Sequence, residues 1–176
     1  MENDSNDKRP PEYYTEINIL DKKEEILDLL KSYNPVVHTN SEKDFDWLSD
    51  DGVSIIVSKG AEELLYVDLD GEITLGMGGW HTHYAAYLMD YNLFKETLME
   101  FIEGKLCAVS IKCDEKWMGS YTFYESEISV QNLVAHTYEL LSATEFRDKL
   151  DKCGFIIQCS FLDSSKDRVF VIEKKH

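Results

Sequence analysis

VSIIVSKGAEELLYVDLDGEITL, residues 53–75, is the stretch whose reading decides the fold. It holds three short runs rich in Val, Ile, Leu and Tyr, at 53–58, 64–69 and 72–75, separated by Lys59-Gly60 and Asp70-Gly71. Apolar runs divided by a glycine-containing pair mark hairpins, because glycine adopts the positive φ that a tight turn between strands requires. The stretch therefore predicts an antiparallel meander.

Reading toward the N-terminus, residues 38–51 are acidic and predict a partly ordered loop anchored by Phe45 and Trp47. Before it, DKKEEILDLLKSY (21–33) offers Asp21 as N-cap, Glu24 three positions on, and Ile26, Leu29, Leu30 and Tyr33 at helical spacing. That helix must end before Asn34-Pro35. Residues 1–14 are polar, contain Arg9-Pro10-Pro11 and show no periodicity, which predicts a flexible tail ahead of one domain at 15–176.

Toward the C-terminus, 76–84 is glycine-rich and reads as a loop. A helix is predicted over 90–103, where Leu93, Phe94, Leu98, Phe101 and Ile102 form one stripe stopped by Gly104. Strands follow at 106–112 and 119–125. Residues 128–141 fit either a helix or a strand, and the alternation in Val134-Ala-His-Thr-Tyr138 favours strand. Ser142-Ala-Thr-Glu145 has the form of a capping box and opens a third helix over 143–153, ended by Gly154. A hairpin of 155–162 and 168–173 closes the chain. Strands in neighbouring pairs, interrupted by helices without regular alternation, predict an α+β fold: a mainly antiparallel sheet with about three helices in a single domain.

Composition narrows the function. The 176 residues carry 18 Lys+Arg against 34 Asp+Glu, a formal charge of −16, and their 43% hydrophobic content is enough to build a core. So acidic a chain is a poor ligand for a phosphate backbone, whose affinity comes from Lys and Arg displacing counterions, and nucleic acid is not expected as a partner. No run of 18 apolar residues suggests a membrane span. The start, Met1-Glu2-Asn3-Asp4, lacks the basic and apolar segments of a signal peptide, so a cytoplasmic location is expected. Residues 1–100 hold 22 acids and 8 bases, whereas 151–176 hold 4 and 5. This asymmetry fits either a general solubility charge or an acidic face that steers a basic protein toward it.

The four cysteines, Cys107, Cys113, Cys153 and Cys159, show no C-x-x-C spacing, which excludes a zinc finger. On a strand, Cys107 and Cys113 share a face with Val109 and Ile111 and read as small core residues. All four are expected to remain thiols in a reducing compartment.

The most unusual motif is Gly76-Met-Gly78-Gly79-Trp80-His81-Thr82-His83-Tyr84. If 80–84 is extended, His81 and His83 project to one side, where a zinc or another divalent metal could be held with a third ligand drawn from Asp68, Asp90, His38 or His136. The alternatives are a loop whose histidines are hydrogen-bonded while Trp80 and Tyr84 pack, and a recognition loop built on those two rings. No G-x-G-x-x-G or P-loop is present, since position 81 is histidine. Asp68 and Asp70 begin like a calcium loop, but Ile73 and Gly79 break the EF-hand pattern, leaving them as turn or binding residues.

Residues 79–84 followed by a helix resemble a class of small acidic bacterial proteins encoded beside secreted toxins, immunity proteins among them; the resemblance spans about residues 66–112. It implies a role, the occlusion of a toxin, and brings no catalytic residues. The combined expectation is a non-enzymatic protein that binds a basic toxin domain through an acidic surface bearing Trp80, His81, His83, Tyr84, Asp68 and Asp70, without a cofactor. The competing expectation is a metal-dependent hydrolase using His81 and His83.

Overall fold

The structure, a computed structural model, describes residues 14–59, 62–142 and 144–174. It is α+β, as expected, and organised as two antiparallel sheets with four α-helices. The predicted tail at 1–14 lies, except for Tyr14, outside the described residues. Tyr14 sets its ring edge-on to Tyr87.

The first sheet has five strands in sequence order: β1 (Val36–Thr39), β2 (Val53–Lys59), β3 (Glu62–Asp70), β4 (Glu72–Met77) and β5 (Trp80–Tyr84). The predicted meander is its centre; β5 comes from the 76–84 stretch read as a loop, and β1 runs into the start of the 38–51 stretch read as a loop. The 76–84 segment turns at Gly78, whose φ is +57°, and returns as β5 paired along β4. The period-two alternation is clean: Ile55, Val57, Leu65, Val67, Leu69, Ile73, Leu75 and Met77 all point inward and are buried. Against that face pack α1 (Lys23–Leu30), which buries Ile26 and Leu30, and α2 (Leu88–Ile102), which buries Phe94, Leu98 and Phe101.

The second sheet has the order β7-β6-β8-β9, from β6 (Leu106–Cys113), β7 (Lys116–Tyr124), β8 (Phe155–Ser160) and β9 (Arg168–Ile172). Its inner face carries Cys107, Val109, Ile111, Tyr121, Ile157 and Cys159, covered by α3 (Val130–Leu140) and α4 (Thr144–Cys153). Residues 130–140 of the 128–141 stretch are thus helical, correcting the strand expectation. Ser129 caps α3 by accepting from the Asn132 amide, and Leu133, Thr137 and Leu141, four apart, turn onto the sheet. Both long edges of β6 are already taken by β7 and β8, so what that sheet needs is a cover for its face. The buried Tyr121 hydroxyl sits 3.3 Å from both the Leu133 carbonyl and Thr137 Oγ1, tying the helix down.

α2 and β6 join the two halves. Leu106 and Ala108 of β6, together with Leu162, enter the first core, and the Ser120 hydroxyl of β7 donates to the Gly79 carbonyl at 2.8 Å.

Candidate functional site

Strand pairing arranges the outer face of the first sheet into two rows. One runs His38, Ser54, Asp68, Thr74, His83; the next runs Val36, Ile56, Tyr66, Gly76, His81. Tyr66 lies opposite Gly76, and its ring occupies the space a side chain there would fill: a Cβ on Gly76 would come within 2.1 Å of it. Glycine is required at 76 for the tyrosine to lie flat along the sheet.

Over these rows folds the 40–52 segment between β1 and β2. The Leu48 side chain is buried, and Asp70 accepts from the Ser49 amide at 3.2 Å and from the Ser49 hydroxyl. Asn40 donates to Asp50 at 3.1 Å. Phe45 stacks on His38 with ring centroids 4.2 Å apart, and His38 Nδ1 lies 2.8 Å from Glu42. That contact, with the Thr39 amide, holds the Glu42 carboxyl below its ordinary pKa. Expected as a buried anchor, Trp47 instead stands 56% exposed at the rim, while Phe45 is half-buried.

The result is a cleft of about 420 Å³. Its walls are Phe45, Trp47, Tyr66 and Ile56; its polar groups are Asp44, Ser54 and Asp68. Asp68 is only 9% exposed and accepts a 2.6 Å hydrogen bond from the Ser54 hydroxyl. Burial raises its pKa, the nearby charge of Asp70 adds to that, and the Ser54 bond opposes it. A carboxylate that has lost part of its water, flanked by aromatic rings, is a receptor for a cation: the charge restores what desolvation removed, and the ring faces add cation–π attraction.

Acids outnumber bases around the cleft. The 40–52 segment carries Glu42, Asp44, Asp46, Asp50 and Asp51 against the lone Lys43. On the helical side of the same half, acids alternate with Lys22, Lys23, Lys31 and Lys95, and the pairs Asp28–Lys31 and Glu25–Lys95 are closed at 2.8 and 2.9 Å.

The residues expected to form the site are divided by the sheet. Asp68 lies in the cleft, and Asp70 braces the 40–52 segment at Ser49. His81 and His83 are on the outer face at the β5 edge, with rings 5.3 Å apart. His83 Nδ1 already lies 2.8 Å from Glu72 and 3.1 Å from Thr74 Oγ1. Trp80 and Tyr84 point the other way, into the core, where they meet Phe101 at 5.5 Å and Phe94 at 5.7 Å. Their rings lock β5 to α2. Among the described residues, one place brings three metal-ligand side chains within 4.8 Å of one another, and it is Cys113, Asp114 and Cys153 rather than the histidine pair. Sequence reasoning missed Trp47, Tyr66 and Ser54; an available signal was a tryptophan in an acidic loop.

A wider groove of about 730 Å³ between α3 and α4 is less apt, because its tyrosine, its arginine and one of its aspartates already engage one another. The Tyr138 hydroxyl bonds Asp151, and Arg147 lies over the Tyr138 ring. Compared with protein-family models, curated proteins and solved structures, the chain matches none.

Proposed function

We propose that this chain is a non-enzymatic binding protein that captures a basic protein partner, in the manner of an immunity protein occluding a basic toxin domain. The observation that carries the reading is the cleft over β2 and β3, which the desolvated Asp68 carboxylate and the exposed Trp47 ring both line. An arginine or lysine of the partner would enter between Trp47 and Tyr66 with its charge toward Asp68, while the carboxylates of the 40–52 segment steer the approach. Aromatic anchors ringed by charge are where interface energy concentrates.

The test is titration calorimetry against the basic domain of a secreted toxin encoded beside this chain. Affinity should fall as salt rises from low to high ionic strength and should fall again in Trp47→Ala. Salt-independent binding, or binding indifferent to Trp47, would remove the reading, as would a gene neighbourhood holding no such toxin.

A further inference from the structure

The second half carries a different chemistry, in two of the chain's four thiols. Cys113 is the last residue of β6, Asp114 begins the two-residue turn into β7, and Cys153 is the last residue of α4. Their ligand atoms lie within 4.8 Å of one another, with Cys113 buried and the other two exposed. We propose that these three side chains form a binding site for one divalent cation of the zinc class, with solvent as the fourth ligand.

Donor chemistry selects the ion. Two thiolates favour soft or borderline metals, and the added carboxylate suits zinc within that group. Tetrahedral coordination with Zn–S of about 2.3 Å places two sulfurs about 3.8 Å apart, so with the ligand atoms already within 4.8 Å of one another closure asks for movements of at most about 1 Å. Geometry supports such closure because the ligands sit on the ends of regular elements. β6 is fixed between β7 and β8, and α4 is stopped by Gly154, whose amide bonds the Leu150 carbonyl at 2.9 Å. Gly154 has φ +73°, and a Cβ on it would come within 2.6 Å of the Ile172 carbonyl, so the chain turns there in one way and Cys153 is held in place. The C-terminal end of a helix presents unpaired carbonyls, a field that favours a cation beside Cys153. The exposed Asp114 and Cys153 give the ion its entry, and binding releases the thiol protons to solvent. The bound ion would staple α4 to the β6–β7 hairpin.

The full chain, reduced and stripped by a chelator, is titrated with Co²⁺ under inert gas. The expected result is one equivalent bound with a sulfur-to-cobalt charge-transfer band, abolished in Cys153→Ser, weakened in Asp114→Asn and unchanged in Glu115→Gln. Zinc should displace the cobalt and raise the melting temperature of the wild type but not of Cys153→Ser. Because Cys153 and Asp114 are exposed, these variants keep the fold, which circular dichroism verifies. Absence of the band, its survival in Cys153→Ser, or a zinc-induced melting shift that persists in that variant would each overturn the assignment.

Discussion

On the five-stranded sheet, the face turned away from the helices is polar and acid-rimmed, with its aromatic rings gathered around one carboxylate. On the four-stranded sheet, the corresponding face is apolar at its free edge, where Ile156 and Val171 stand opposite each other on β8 and β9 and Val169 lies one pair along. Both sheets turn an apolar inner face onto a buried core. The difference is in what an outer face can recognise: a desolvated charge with a shaped aromatic wall discriminates among partners, whereas Val171, 72% exposed, offers only area. Arg168, Glu173 and Lys174 flank the apolar edge of β9 and discourage strand addition.

The two halves share α2 and β6 and should stand or fall together, which the largest expected effect tests. Phe101 of α2 is fully buried and packs beneath Trp80 at the junction of the halves. Phe101→Ala should cost about 4 kcal/mol through lost burial and the cavity left behind. Denaturant unfolding followed by tryptophan fluorescence and by far-UV circular dichroism should shift together. Two separated transitions would mean that the sheets are independent units.

The next effect separates the two outer faces. Trp47→Ala should weaken capture of a basic partner by about 2 kcal/mol and leave stability within about 0.5 kcal/mol, because the ring is mostly exposed. Val171→Ser, on the other sheet, should leave binding unchanged. Equal losses from both would erase the distinction.

The meander of the first sheet was legible because its signals were local: alternating runs and the Asp70-Gly71 turn, where Gly71 has φ +74°. β5 was hidden because glycines read as loop, and once the chain pairs there, alternation sends Trp80 and Tyr84 inward and His81 and His83 outward. The helix at 130–140 was lost to a five-residue alternation that tertiary covering of the sheet overrides. Of the cleft, only Asp68 was legible. Tyr66, Ser54 and Trp47 meet it through strand register and a folded-back loop, neither of which leaves a spacing rule. Likewise Cys113 and Cys153 show no metal-type spacing, since their meeting depends on where α4 ends against β6.

A smaller effect concerns Asp68 itself and has a pH signature. Burial raises its pKa above the ordinary 3.8, so the folded chain holds this proton more tightly than the unfolded one. Native stability therefore falls as pH rises through the raised pKa, and the penalty is present at neutral pH. Asp68→Asn keeps an acceptor for Ser54 and removes the charge. It should stabilise the chain by about 1 kcal/mol at pH 7, lose that advantage below pH 3.8 where both forms are neutral, and weaken capture of a cationic partner. Melting curves across pH, paired with titrations, check both halves. A variant that is less stable at neutral pH would show that the carboxylate contributes to the fold instead of opposing it.

The smallest effect lies in the second half, at the turn between β6 and β7. Asp114 and Glu115 both have positive φ, 50° and 62°, the arrangement of a type I′ turn, which matches the twist of paired strands. Aspartate tolerates that region; glutamate does so poorly, because its Cβ crowds the following carbonyl. Glu115→Gly relieves the crowding but frees the unfolded chain, so the gain should be below about 1 kcal/mol. The register Cys113↔Lys116 should survive, and with it the placing of Asp114 beside the two thiols. A thermal melt measures the gain, and cobalt uptake by the same variant measures the placing. If Glu115→Gly stabilised the hairpin and abolished uptake, the restraint that the Glu115 side chain puts on the turn would be part of what aims Asp114, and the strain would belong to the site and not to the turn.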